Sequence, residues 1–216
     1  MSHPHPTPRR GSKRRFLAEF IRNPGQIGAI APSSAALARR MLEDLPLDTA
    51  RVVLEYGPGT GAFTGQLIQR LGPQTRLIAI ELSEPCCAIL RARHPGLCVR
   101  QGSVADVAQH LRAEGIDPAG PDGLGAVDLI VSGLPWAAFP TALQTSILDA
   151  TLPVLRPGGK LVTFAYHVGR FTPAGRRFAR LLPRYFERIE HSRSVWANLP
   201  PAFVIRCTKA ARPGPA

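Results

Sequence analysis

Cysteine is scarce in this chain: Cys86, Cys87, Cys98 and Cys207 include one adjacent pair and no CxxC. That spacing suits neither a zinc site nor a secreted disulfide framework, so a metal-free protein of a reducing compartment is expected. Aromatic residues are few, 6% of the chain, which leaves little for the base-stacking platforms of nucleic-acid readers. Long apolar runs are missing as well. The longest uncharged stretch, 129–148, contains Gly133, Pro135, Pro140 and Gln144, and reads as a buried strand, a loop and a helix. The basic N-terminal stretch has no apolar segment behind it, so no secretory signal is expected and any membrane role would be peripheral.

Acidic residues are absent between Asp149 and Glu187, whereas Arg156, Lys160, Arg170, Arg176, Arg177, Arg180 and Arg184 all lie there. The formal net charge of +12 therefore has a location. Residues 51–164 hold nine basic and nine acidic side chains, residues 1–50 eight against four, and residues 165–216 ten against two. An excess confined to the two flanks points to a polyanionic partner, either nucleic acid or an anionic bilayer, between which charge alone does not choose.

At 216 residues with 44% apolar side chains, the chain has the makings of one domain with a real core. Residues 1–11 are Pro-rich and unpatterned and read as a disordered tail. Residues 12–45 read as N-terminal helices. The first spans 12–23, with Phe16, Leu17, Phe20 and Ile21 on one face and Arg15 and Arg22 on the other, the form that lies in a membrane interface. The second runs to Glu43 from a cap at Ser33 or Ser34. From 46 to 210 strand and helix signals alternate and close on two strands in succession. This predicts a mostly parallel sheet with helices on both faces and a C-terminal antiparallel hairpin, followed by a 211–216 tail. A helix predicted over 173–182 sets Phe178, Leu181 and Leu182 against Arg176, Arg177 and Arg180.

The most informative segment is Val52-Val53-Leu54-Glu55-Tyr56-Gly57-Pro58-Gly59-Thr60-Gly61. A buried strand runs into glycines at alternate positions, which let backbone approach a nucleotide-type ligand without a Cβ in the way. Glu81, twenty residues beyond Gly61, ends the second strand, where a carboxylate can accept from both ribose hydroxyls. The spacing is GxGxG with an acid two residues ahead, not the GxGxxG of dinucleotide sites. An acid in that loop is tolerable beside a sulfonium and an ammonium and unfavourable beside a pyrophosphate.

This segment resembles motif I of the class I S-adenosylmethionine-dependent methyltransferases. The resemblance implies a Rossmann-like fold with a seven-stranded sheet. It implies S-adenosylmethionine as cofactor, held by Glu55, Gly57, Gly59, Gly61, Glu81 with the following Leu82, and Gly102-Ser103. Where such enzymes often carry G-D-A after the third strand, this chain has Gln101-Gly102-Ser103; Ser103, backbone groups or Asp106 would then meet the adenine. Ser132-Gly133-Leu134-Pro135-Trp136 at the end of the fourth strand is similar to the acceptor loop of amino methyltransferases, with Ser132 at the amine and Trp136 as its cover. Tyr166 and His167, ending the fifth strand, would orient the amine and pass on its proton.

Further segments narrow the family: Gly28-Ala29-Ile30-Ala31-Pro32-Ser33-Ser34 ahead of motif I, and Trp196-Ala197-Asn198-Leu199-Pro200-Pro201-Ala202 at the last strand. In this order, over roughly residues 14–208, the chain resembles the small bacterial phospholipid N-methyltransferases, which convert phosphatidylethanolamine stepwise to phosphatidylcholine and are related to ribosomal RNA adenine dimethyltransferases. The resemblance implies a monomer bound to the inner face of the cytoplasmic membrane, with a phospholipid substrate and no nucleic-acid partner. Its contacts to lipid would be Phe16, Leu17, Phe20, Ile21, Arg176, Arg177, Arg180, Trp196 and Asn198. An RNA adenine N6-methyltransferase and a non-catalytic module that binds S-adenosylmethionine remain the alternatives.

Overall fold

The structure is a computed structural model that describes residues 34–211. The tail at 1–11, the helix expected over 12–23 and all but the first residue of the 211–216 tail lie outside the described residues. In chain order the elements are α1 (Ala35–Met41), β1 (Val52–Tyr56), α2 (Thr64–Ile68), β2 (Arg76–Glu81), α3 (Glu84–Arg93), β3 (Cys98–Gln101) and α4 (Val107–Ala113). They continue with β4 (Val127–Ser132), α5 (Thr141–Val154), β5 (Leu155–Tyr166), α6 (Pro173–Leu181), β6 (Arg188–His191) and β7 (Ala202–Thr208). Short 3-10 turns at Val104–Asp106, Trp136–Ala138, His167–Phe171 and Leu182–Arg184 join them.

The expected seven-stranded sheet is present, in the order β3-β2-β1-β4-β5-β7-β6. Strands β1 to β5 run parallel, and β7 inserts antiparallel between β5 and β6. Every residue of β1 and β4 is buried, as expected of central parallel strands covered on both faces, whose sequences read as continuous apolar runs. The reversal of strand order falls between β1 and β4, which places a ligand crevice outside their carboxyl ends.

Ser34 caps α1: its hydroxyl accepts from the Leu37 N–H at 3.1 Å. Leu37, Ala38 and Met41 then join Val53, Leu129, Val162 and Val204 in one apolar core, so this helix is part of the sheet domain. Arg206 on β7 closes its other end by donating to the carbonyl oxygens of Arg40 (2.7 Å) and Glu43 (3.1 Å), groups that a helix end leaves without partners.

Two expectations change. The strand expected over 188–196 stops at His191, and residues 192–201 form a loop with a β-bridge between Val195 and Ala202. In α6, whose amphipathic form makes it a second candidate for a membrane interface, the apolar side does not face outward. Phe178 is buried with its ring stacked on Trp136 at 4.7 Å, and Leu182 is buried beyond it, because an aromatic face gains more from a packed partner than from water. Only the arginine side, Arg176, Arg177 and Arg180, stays exposed.

The two edges of the sheet differ in chemistry. At the amino end of β1, Asp128 Oδ2 accepts from the N–H groups of Arg51 and Val52, both at 2.8 Å, while Oδ1 pairs with Arg156. Nearby, Lys209 donates to the carbonyl oxygens of Leu124, Leu152 and Leu155. Polar groups are matched there. Among the described residues five buried side-chain atoms have no partner, Glu55 Oε2, Gln66 Oε1, Gln144 Oε1, the Tyr166 hydroxyl and Arg206 Nε; Glu55 and Tyr166 stand at the carboxyl ends of β1 and β5, and buried polar atoms left so cost stability unless something else meets them.

Candidate active site at the carboxyl edge of the sheet

Gly57, Gly59 and Gly61 all have positive φ, 61°, 59° and 96°, a region in which an L side chain is strained. The loop they form is interlocked with the one after β4. Gly133 N–H donates to the Tyr56 carbonyl at 2.8 Å, and a Cβ at Gly133 would stand 2.6 Å from the Gly57 carbonyl oxygen. A Cβ at Gly59 would meet nothing within 4 Å, so the loop is open on that side. Gly133→Ala is expected to push the two loops apart, at a cost of about 1–3 kcal/mol typical of overpacking. A melting point lowered by several degrees, together with weaker cofactor binding, would be the outcome in a thermal-shift experiment with and without cofactor.

Glu81 is buried at the end of β2. Its Oε2 accepts from Gly59 N–H at 2.9 Å and its Oε1 from Ser83 N–H at 2.8 Å. Each oxygen has a second lone pair free, and both are held beside the open side of the glycine loop. Leu82, the next residue, is half-buried. Glu55 is fully buried within β1, where a carboxylate would not be placed for stability. Thr64 on α2 donates its hydroxyl to Oε1 at 3.1 Å, while Oε2 stands without a partner. Burial pushes this carboxyl up to about 8; the Thr64 hydrogen bond works against the shift and the charge of Glu81 adds to it. Thr64 was not visible as a site residue in the sequence: a threonine nine positions after the acid has no signature of its own.

At the end of β3, Gly102 N–H donates to the Glu81 carbonyl at 2.9 Å. A Cβ at Gly102 would lie 2.7 Å from the buried His110 ring, whose Nε2 is 3.1 Å from the Ser103 carbonyl oxygen. The Ser103 hydroxyl caps the following 3-10 turn by accepting from Ala105 N–H at 3.1 Å. Its oxygen thus serves as a cap, a role that leaves the hydroxyl hydrogen to be donated. Asp106 is half-buried at the start of α4. His110 packs where sequence spacing had pointed to nothing.

The acceptor side is also rearranged relative to expectation. Ser132 is fully buried; its Oγ accepts from Trp136 Nε1 at 3.1 Å and from Leu134 N–H at 3.4 Å, and its carbonyl accepts from Thr163 at 3.1 Å. Trp136 is 2% exposed, stacked on Phe178 and edge-on to Phe139. Both residues hold the loop in shape, and Trp136 is a packed wall rather than a free cover. Tyr166 ends β5 in an aromatic row: its ring stands edge-on to Phe164 at 5.4 Å, and Phe164 edge-on to Phe63 at 5.8 Å. Phe63 directly follows the glycine loop, so the row links that loop to the end of β5. Its members lie far apart in sequence, and nothing local announced the row. Desolvation pushes the Tyr166 hydroxyl up from its usual range, so it stays protonated.

His167 opens the next turn, with Nε2 2.8 Å from Ser194 Oγ and its ring stacked on Trp196 at 6.0 Å. Asn198 does not face outward: its Oδ1 accepts from Ser34 N–H at 2.9 Å and its amide donates to the Pro200 carbonyl at 2.8 Å. It ties the start of α1 to the loop before β7, since a buried amide needs its donor and acceptor both matched. Among the described residues no group of three His, Cys, Asp or Glu side chains could hold a metal ion, and no helix is long and apolar enough to cross a membrane.

Sheet order, the glycine loop at the switch point and an acid at the end of β2 define a class I S-adenosylmethionine-dependent methyltransferase. No family model matches the chain. Among solved structures it is similar to the 1,6-didemethyltoxoflavin-N1-methyltransferase of Burkholderia thailandensis with bound S-adenosylhomocysteine (TM-score 0.61, 19% identity, 96% of this chain and 93% of that one). It is similar too to an O-methyltransferase of Bacillus cereus in complex with the same product (TM-score 0.61, 18% identity, 94% and 92%). The cofactor is S-adenosylmethionine. In sequence it is 33% identical over 195 residues to the ornithine lipid N-methyltransferase of Singulisphaera acidiphila, covering 89% of this chain and 93% of that relative. The chain belongs to this family, the lipid N-methyltransferases of the class I superfamily.

The residues present suit that cofactor. An unpartnered buried carboxyl oxygen on Glu55 answers a cation, the open side of Gly59 leaves room, and Glu81 keeps acceptor capacity for hydroxyl donors.

Proposed function

We propose that this protein methylates the primary amine of a membrane-lipid headgroup, working as a peripheral enzyme at an anionic membrane surface. The observation that carries the reading is the buried, unpartnered hydroxyl of Tyr166 at the carboxyl edge of β5, the edge that also holds Glu55 and Glu81. A neutral phenol there accepts a hydrogen bond from an amine and turns its lone pair without adding charge. Two headgroups fit: phosphatidylethanolamine, to which the chain's own motifs point, and ornithine lipid, the substrate in its relative's name. Both end in a primary amine.

When bound, S-adenosylmethionine supplies a methyl group on a sulfonium, which a neutral amine takes by in-line displacement. The protein's part is positioning and exclusion of water. Glu55 and the glycine loop hold the methionine end, and Glu81 holds the ribose. Ser132, Thr163 and Trp136 keep the acceptor loop at one depth, and Tyr166 orients the amine. His167, paired with Ser194, gives the ammonium proton a route to solvent. The product gains cationic character with each methyl group, and the Tyr166 ring holds it, with about 1–2 kcal/mol of cation–π attraction once desolvated. Membrane attachment is assigned to the amphipathic segment 12–23 and to the exposed Arg176, Arg177 and Arg180, each worth about 1 kcal/mol near an anionic surface.

The deciding experiment offers labelled methyl donor with vesicles containing phosphatidylethanolamine, with vesicles containing ornithine lipid, and with RNA. Label in either lipid supports the proposal and names the substrate; label in RNA alone sinks it. Tyr166→Phe separates the proposed role from packing. Removing a buried hydroxyl with no partner should leave stability unchanged or raised, whereas turnover should fall at least tenfold with cofactor affinity intact. Unaltered turnover would remove Tyr166 from the reaction.

A further inference from the structure

Four of the six large apolar side chains that stand exposed among the described residues belong to two adjoining segments. Val168 (64% exposed) and Phe171 (77%) lie on the turn after β5, and Trp196 (76%) and Leu199 (80%) on the loop between β6 and β7. The two segments are fastened together. His167 N–H donates to the Pro201 carbonyl at 3.1 Å, its Nε2 meets Ser194 at 2.8 Å, and its ring stacks on Trp196. Arg170, between Val168 and Phe171, lies over the Phe203 ring at 5.4 Å. Asn198 pins the loop from beneath through Ser34 and Pro200. A tryptophan and a leucine held in water by a buried amide and a histidine stack are at odds with stability alone, and exposed apolar side chains gathered on two segments fastened together mark a docking surface.

Charge identifies what docks. Arg170 and Arg193 are exposed within the two segments, and Arg176, Arg177 and Arg180 are exposed on the helix that follows Phe171 directly. No acidic residue occurs from 150 to 186 or after Glu190. An apolar tip carrying an aromatic side chain and surrounded by arginine suits the interface of an anionic bilayer: indole and phenyl rings settle at headgroup level while guanidinium groups meet lipid phosphates.

We propose that Val168, Phe171, Trp196 and Leu199 form a tip that inserts into the acyl boundary of an anionic membrane. The inference rests on the lipid reading above and adds to it where the enzyme enters the bilayer. The tip begins two residues after Tyr166, so insertion brings the acceptor edge of β5 to headgroup depth. A lipid then needs to rise only partway to present its amine.

The two tryptophans make the test direct, since Trp136 is buried and Trp196 exposed. The full chain is mixed with vesicles of phosphatidylcholine and phosphatidylglycerol, with and without bromine on the acyl chains, while tryptophan emission and sedimentation are followed. The expected result is a shift of emission to shorter wavelength on binding and quenching by the brominated chains, both lost in Trp196→Phe. Trp196→Ser with Leu199→Ser should weaken vesicle binding at least tenfold and leave cofactor affinity unchanged. Sedimentation with vesicles without shift or quenching overturns the tip and leaves the membrane reading in place. Failure to sediment with any vesicle overturns both. Emission from Trp196 that is already short-wavelength without lipid, or that shifts with protein concentration, also overturns it, by assigning the tip to another part of this chain or to a second copy.

Discussion

Glu81→Ala is expected to weaken S-adenosylmethionine binding by at least tenfold, and by about a hundredfold or more if both ribose contacts go. Hydrogen bonds to a charged carboxylate are worth about 1.5–3 kcal/mol each, and 1.4 kcal/mol is a factor of ten in affinity. The carboxylate also holds the cofactor-free loop, through Gly59 N–H on one oxygen and Ser83 N–H on the other. Two effects should therefore appear together: lower affinity by calorimetric titration, and a lower melting point of the cofactor-free protein. Glu81→Gln keeps one carbonyl acceptor without the charge and should fall between wild type and Glu81→Ala. Binding as tight in Glu81→Ala as in the wild type would end the assignment of this residue to the cofactor.

Cofactor affinity is expected to rise with pH and level off near pH 8, by as much as tenfold per unit below that. The cause is Glu55. In the cofactor-free protein, burial holds this carboxyl protonated up to about 8. A sulfonium and an ammonium brought beside Oε2 favour the carboxylate, so the group gives up its proton on binding. Where the bound form has lost a proton that the free form keeps, higher pH drives binding. Above about 8 both forms are ionised and the dependence stops. Stability of the cofactor-free fold follows the opposite course. A carboxyl whose folded pKa lies above its ordinary value of 4.5 contributes fully below that value, and the contribution is lost as pH rises through about 8.

Titrations at pH 7 in two buffers of different ionisation enthalpy would show release of up to one proton. Glu55→Gln should abolish that release and flatten the profile while lowering affinity. The cofactor's own amine titrates in the same range, but it does so in both proteins, and the difference between their profiles belongs to Glu55. Identical profiles would place the cation elsewhere.

The order of strands and helices, the glycine loop and the acid at the end of β2 were determined by the sequence alone. These features rest on local chemistry: alternation of apolar runs with amphipathic helices, and positive φ at Gly57, Gly59 and Gly61, which glycine supplies at fixed spacing. The family was legible for the same reason, through short segments such as residues 28–34 and 196–202. Partners far apart along the chain were decided only in the tertiary structure. Thr64 meets Glu55 because α2 returns across the end of β1. Trp136 becomes a packed wall because Phe178 arrives on α6 to stack on it, which also turns the apolar side of that helix inward. The Ser103 oxygen caps a turn and Asn198 ties two distant parts of the chain. An amphipathic pattern states that a helix has an apolar face, whereas whether protein or lipid covers that face depends on contacts between distant segments, and those form only when the sheet brings the segments together.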